Sequence, residues 1–306
     1  MKKQNNLLGK YVDICTDFGY KLYFGPEGGK QNLIHFLNSL FAGHKVIRDL
    51  EYRPTERSGE QEQDRKVIFD LYCTSEDNSH FIIEMQQLSQ TFIRDRMIYY
   101  SSRLIHTLVP RGYKGNTYEL PEVYFIGILD FVLDRIVGEQ YYCDVVLSDK
   151  ESGDQFYDKL GYKLLVLPNF RKDSHEIESV MDMWFYLFRH MSRLKEIPKF
   201  LDKRVFGLIF DIGEVSNLNS ENMRAYEWSL KDKRDAEAIR ITQERIAKEQ
   251  QRIGMEEGRK EGRKEERAKA EAEKKASAAK MLKSGFDVKM IVDILGLSIE
   301  DVEKLK

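Results

Sequence analysis

The stretch Val67–Gln87, VIFDLYCTSEDNSHFIIEMQQ, limits the fold more than any other part of this 306-residue chain. Two runs rich in β-branched and aromatic residues flank SEDNS, whose Ser, Asp and Asn suit a tight turn, so the stretch predicts a β-hairpin with strands at about 66–73 and 80–86. Each strand carries one acid, Asp70 and Glu84, and Gln86 follows two residues after the second. An unpaired carboxylate is costly to bury, and side chains alternate across a strand. Val67, Phe69, Leu71 and Cys73 would therefore form one dry face, matched by Phe81, Ile83 and Met85. With the dry faces aligned, Asp70, Glu84, Gln86 and Lys66 leave the core on the same side.

Two neighbouring carboxylates repel each other unless a cation lies between them. Hard oxygen ligands of this kind suit Mg²⁺ or Mn²⁺, which keeps several waters and takes one or two protein carboxylates plus substrate phosphate oxygens. Such an ion lowers the pKa of a bound water and offsets charge on a phosphodiester, while the Gln86 amide can hydrogen-bond the attacking water or a phosphate oxygen. The competing reading of the same spacing is a hairpin with one solvated face. The six histidines are scattered, and no Ser, Cys or His triad stands out.

Around the hairpin, helix and strand patterns alternate. NLIHFLNSLF carries Leu33, Leu37, Leu40 and Phe41 at helical spacing. The polar, proline-containing DLEYRPTERSGEQEQDRK reads as a loop, with Glu56 and Asp64 solvated. A helix is expected over about 90–108, then VYFIGILDFVL as a central strand, YYCDVVLS and YKLLVLPNF as further strands, and EIESVMDMWFYLFRHM as an amphipathic helix. Residues 1–215 thus predict an α/β or α+β layered domain, not a solenoid or barrel.

Beyond it, residues 216–284 are almost uninterrupted Glu, Lys, Arg, Gln and Ala without proline, which predicts one long exposed helix. Ile239, Ile246 and Ile253 recur every seven residues, a thin coiled-coil seam through which a homo-oligomer could pair. Gly254, Gly258 and Gly262 form a bare stripe on that helix, open to close helix approach or to hinging. In the 285–306 tail, Gly285 ends the long helix, Asp287 and Ser298 cap two short helices, and Gly296 turns the chain between them. The second of these begins with Glu300 and Asp301, which phosphate would repel, so the tail reads as a packing or oligomerisation cap. The net charge of −2 gives no whole-molecule pull on nucleic acid, so phosphate contact needs a local patch. Three scattered cysteines, Cys15, Cys73 and Cys143, and the lack of any long apolar run lead us to expect a soluble, cytoplasmic protein with no membrane partner.

Asp70, thirteen residues, then Glu84-Met-Gln86 resembles the PD-(D/E)XK nuclease signature, with Gln in the place of its lysine. Together with TDFGYKLYFG, DRKVIFDLYC, FIIEMQ, RDRMIYYSSRLI, VYFIGILDF and EEGRKEGRKEE, it is similar to the Rpn family of recombination-promoting nucleases, also called PD-(D/E)XK nuclease family transposases. The resemblance implies a restriction-endonuclease-like mixed sheet flanked by helices that cuts DNA with Mg²⁺. It makes Asp70, Glu84 and Gln86 the catalytic triplet and Asp70 and Glu84 metal ligands. Asp17 matches a third acid, although Thr16 and Asp17 are equally suited to capping the helix that follows. A neutral amide stabilises negative charge less well than an ammonium, and Lys66 or Lys21 would be the cation that makes up for it. On the helix after the hairpin, Arg96, Tyr100 and Arg103 share a face and are candidate DNA contacts; pairing of the arginines with core acids is the plainer alternative. The leading expectation is a Mg²⁺-dependent DNA endonuclease of low sequence specificity acting in recombination or mobile-element biology. A catalytically weak or inactive relative that binds DNA or a protein partner is the second, and an assembly protein whose long helix is the working part is the third.

Overall fold

The computed structural model describes residues 8–57, 67–89, 91–109, 119–133 and 138–305. Its centre is a six-stranded mixed sheet. The strands are β1 (Leu50–Tyr52), β4 (Leu71–Ser75), β5 (His80–Gln86), β6 (Val123–Leu129), β7 (Tyr142–Ser148) and β8 (Gln155–Val166). Their spatial order is β1-β4-β5-β6-β8-β7. β5, β6 and β8 run parallel, and the other neighbours are antiparallel. Two short strands, β2 (Glu56–Arg57) and β3 (Val67–Ile68), form a separate ribbon.

The β4–β5 hairpin closes through a turn in which Asn78 adopts φ 62°, a left-handed conformation that Asn tolerates. Asp77 Oδ1 accepts from the Ser75 hydroxyl at 2.6 Å and from the Ser79 N–H at 3.2 Å, so one side chain ties both ends of the turn. VYFIGILDFVL supplies β6, a central strand with a neighbour on each side. The segment expected to be a loop supplies β1. Buried Leu50 and half-buried Tyr52 flank exposed Glu51, and the three pair with Ser75, Thr74 and Cys73. Three residues are too few to show an alternating pattern amid polar neighbours. β8 starts at Gln155, well before its apolar run, because the first part pairs with β7 in an exposed ribbon.

Both faces of the sheet are covered. On one face, Leu71, Cys73, Phe81, Ile83, Ile126, Ile128 and Leu165 pack under α1 (Asp17–Phe24), α2 (Lys30–Leu40), α4 (Val180–His190) and α5 (Lys203–Gly213). Trp184, Phe24, Phe36 and Phe188 form the aromatic centre of that layer. On the other face, Ile82, Phe125 and Leu164 pack under α3 (Ile93–Leu108) through Ile93, Met97 and Leu104. A Cβ on Gly127 would lie 3.4 Å from Met97 Cε and 3.2 Å from Leu164, so this glycine lets α3 sit close to the sheet.

The expected single dry face of the first strand is not what forms. Leu71 and Cys73 pack on the α1 side, whereas Val67 and Phe69 pack with Tyr72 and Ile82 on the α3 side. The strand is broken at Phe69 and Asp70, where the chain bends and Phe69 N–H bonds to Thr55 O at 3.0 Å. That break reverses the alternation. Because each face of the sheet has its own core, the apolar residues before and after the break can change sides at no loss of burial.

A single helix, α6 (Ser220–Lys283), follows the domain, and its last two turns lead to α7 (Val288–Leu295) and α8 (Ile299–Glu303). Asp287 and Ser298 cap these short helices and Gly296 turns between them at φ 63°, while Gly285 follows α6 at φ 84°. The chain divides into two compact units at Arg240 and Ile241, inside α6. The division falls there because Tyr226, Ser229 and Lys233 bind the start of α6 to the sheet domain. In the second unit, Ala278, Ile291 and Val302 form a small core of their own. Ile246 and Ile253 are exposed, and a Cβ on any of the three helix glycines would meet nothing within 4 Å. Among the described residues, no helix is long and apolar enough to cross a membrane.

Candidate active site

The register Leu71↔Ile83 sets Asp70 against Glu84 just where β4 begins. Because the chain bends at Asp70, its backbone cannot pair with β5 in the ordinary ladder, and the two side chains take over. Asp70 N–H donates to Glu84 Oε1 at 3.0 Å, and Met85 N–H donates to Asp70 Oδ2 at 2.8 Å. The acids are thus brought together by a strand break bridged reciprocally, rather than by parity along an unbroken strand. Glu84 lies opposite Gly127 of β6, beneath α3. There its Oε2 accepts from Arg96 at 3.3 Å and from the Gln86 amide at 3.3 Å.

Glu84 is 1% exposed. Burial, and then repulsion from Asp70, push its carboxyl up to about 8, against the pull of the Asp70 N–H, Arg96 and Gln86. Burial also raises Asp70, with Asp17 adding to it, while the Met85 N–H, Lys21 and Arg96 oppose. A pair of carboxyls held above their ordinary range in a cleft is a common signature of a functional site.

The third acid comes from α1. Thr16 caps this helix, its Oγ1 accepting from Gly19 N–H at 3.0 Å and donating to Asp13 O at 2.8 Å. Asp17 is thereby released from capping duty and stands in the first turn, exposed, paired with Lys21 at 2.8 Å. The Asp13–Phe18 segment is fixed from outside by α6. Tyr226 OH accepts from Asp13 N–H at 3.0 Å, Ser229 Oγ accepts from Phe18 N–H at 3.0 Å, and Lys233 pairs with Asp13 at 2.9 Å. A cleft of about 280 Å³ results, lined by Asp17, Tyr20, Asp70, Met85, Gln86 and Gln87 among others. Tyr20 is buried, yet its hydroxyl finds no hydrogen-bond partner among the described residues. Burial, followed by the charges of Asp70 and Glu84, holds that hydroxyl protonated.

Asp17, Asp70 and Gln86 therefore line one cleft, with Glu84 buried behind Asp70 and Lys21 paired with Asp17. Lys66 lies outside the described residues, as does Asp64. On α3, Arg96 turns inward to Glu84 and stacks over the Tyr100 ring at 4.9 Å, and Tyr100 packs edge-on against Phe69 at 5.7 Å. Arg103 Nε is buried and finds no partner among the described residues. Sequence reasoning missed Tyr20, Asp13 and Lys233. The available signal was the stripe Tyr226, Ser229, Lys233, spaced for one helix face inside an otherwise all-polar segment.

The donor set is all oxygen, and both inner carboxyls are raised by burial and by negative neighbours, which a hard cation would relieve. The residues present fit Mg²⁺ or Mn²⁺ in this respect. Among the described residues, no group of three or more His, Cys, Asp or Glu side chains could hold a metal ion, the expected set Asp17, Asp70 and Glu84 included.

A family model described as PD-(D/E)XK nuclease family transposase matches residues 14–243, from the loop before α1 into α6. The chain belongs to this family. No curated protein and no solved structure matches it. The match covers every strand of the mixed sheet, in keeping with the restriction-endonuclease-like core of PD-(D/E)XK nucleases, and marks the chain as nuclease-like. It ends near the last turn of α6 that is bonded into the sheet domain, so in this member of the PD-(D/E)XK transposase family the start of the long helix belongs with the nuclease fold.

Proposed function

We propose that the protein is a DNA endonuclease that hydrolyses phosphodiester bonds at the Asp70–Glu84 cleft with low sequence specificity, in recombination or mobile-element biology. The observation that carries this reading is the pair of raised carboxyls at a strand break, Glu84 accepting from Asp70 N–H and Asp70 from Met85 N–H, in a chain of the PD-(D/E)XK family. Asp70 and Glu84 would hold Mg²⁺ or Mn²⁺, with Asp17 near them, and the ion would offset charge on the phosphodiester and activate water. The remaining work falls to the chain itself. The Gln86 amide donates to Glu84, which leaves its carbonyl oxygen to orient the attacking water. Arg96 supplies Glu84 with the positive charge that Gln86 lacks. Lys21, steadied by Asp17, is the cation that could reach a phosphate oxygen from the α1 side. The acidic start of α8, Glu300 and Asp301, argues against that helix as a reader of a DNA groove. The exposed Ile239, Ile246 and Ile253 seam supports pairing of two chains through α6.

Gln86 in the lysine position favours a second reading, a weakly catalytic relative that binds DNA or a protein partner. Incubation with supercoiled plasmid separates the two. The endonuclease reading expects nicking with Mg²⁺, none with chelator, and loss in Asp70→Ala and Glu84→Ala. Binding of DNA without nicking in either Mg²⁺ or Mn²⁺ would favour the second.

A further inference from the structure

Beside the acid cleft lies a larger one of about 360 Å³, and Gln87 and Ala236 line both. It sits at the carboxyl ends of the parallel strands, where Gln87 follows β5, Asp130 follows β6 and Leu167 follows β8. Ligand sites of open α/β sheets collect at that end. Four cations line it: Arg189 at the end of α4, Arg193 in the 3₁₀ turn after it, and Lys233 and Arg240 on α6. Against them stand two lining acids, Asp130 and Glu237. The balance is positive in a chain whose net charge is −2.

The cations are differently engaged. Lys233 is half-buried and sits between Asp13 at 2.9 Å and Asp130 at 3.9 Å, which fixes it as part of the wall. Arg240 lies 3.6 Å from Glu237 on the same helix face. Arg189 spends one nitrogen, Nη1, on Leu167 O at 2.7 Å and is otherwise exposed. Arg193 is exposed and makes no hydrogen bond or ion pair with a described residue. A guanidinium fork with unused donors is suited to the oxygens of a phosphate.

We propose that this cleft is a backbone-phosphate subsite for the DNA strand being cut. Arg193 and Arg189 donate to a phosphate next to the scissile one, and the half-buried Lys233–Asp13–Asp130 cluster holds the wall that presents them. The proposal rests on the endonuclease reading and adds to it where the strand runs after leaving the acids, across Gln87 and Ala236. Phosphate contacts of this kind position a strand without reading its bases.

The test is fluorescence anisotropy of the full chain with a short labelled DNA duplex, in chelator, over a KCl series, alongside plasmid nicking by the same proteins. Each phosphate contact contributes about 0.9 to the slope of log affinity against log salt. Arg193→Ala should lower the slope by that amount for any base sequence, and Arg193→Lys should restore most of it. Glu237→Gln, which removes an anion from the cleft, should tighten binding at low salt. Arg204→Ala, an exposed arginine paired with Asp202 on α5, should change nothing. Wild-type slope and affinity in Arg193→Ala, with nicking by the wild type intact, would overturn the subsite and leave the endonuclease reading standing. A wild type that neither binds the duplex nor nicks plasmid would overturn both.

Discussion

Glu84→Gln should stabilise this protein at alkaline pH while abolishing whatever the cleft does. The Glu84 carboxyl rises from 4.5 to about 8 on folding, chiefly through burial and then through the charge of Asp70. Each tenfold change in a protonation equilibrium is worth about 1.4 kcal/mol, so ionising Glu84 costs about 5 kcal/mol more in the fold than in the unfolded chain. The folded state holds the extra proton, so stability is intact below pH 4.5 and declines as pH rises to about 8. A glutamine keeps the Oε1 acceptor for Asp70 N–H and removes the charge. The attraction of Arg96 is already contained in the raised value, and below about pH 8 the protonated Glu84 has no ion pair to lose. The variant should therefore match wild type near pH 4, where Glu84 is protonated in the fold, and be about 4 kcal/mol more stable near pH 8.5. Guanidinium denaturation midpoints at the two pH values measure this. A variant that is destabilised to the same extent at both would refute the reasoning, because Glu84 would then be an ordinary satisfied carboxylate. Acids kept at a cost to the fold are what a functional site is expected to show.

Other outcomes follow from particular contacts. Gln86→Lys brings an ammonium within reach of Glu84 Oε2, now 3.3 Å from the amide, so the alkaline decline in stability should flatten and plasmid nicking should quicken. Gly213→Ala drives a Cβ to 2.0 Å from Tyr23 OH, which donates to Val12 O at 2.8 Å, and should cost about 3 kcal/mol in chemical denaturation. Ser179→Ala removes the oxygen that accepts from Asp182 N–H at 3.0 Å in the α4 capping box and should cost about 1 kcal/mol, seen as a lowered thermal midpoint.

Much of the fold was legible because it is written in local terms. The caps at Asp287 and Ser298, the turn at Gly296, the long polar helix and the apolar run of β6 each need only a few consecutive residues. The positions of Asp70, Glu84 and Gln86 were legible too, since the register of one hairpin brings them near. What could not be read was tertiary. Strict alternation assigns Val67 and Phe69 to the face of Leu71, but a sheet buried on both sides allows the chain to switch faces at Asp70. β1 is too short to announce itself. The cations of the second cleft come from α4, the turn after it and α6, elements far apart in sequence that only packing unites. Arg96 is visible as a helix-face cation, and its inward turn is decided by the buried carboxylate across from it.

The most direct test of the site is calorimetric titration of Mn²⁺ into the wild type, Asp70→Ala, Glu84→Ala and the double variant, without DNA. Shared coordination by the two carboxylates predicts one site in the wild type, loss in either single variant and no further change in the double. Mn²⁺ binding that survives both substitutions would contradict it.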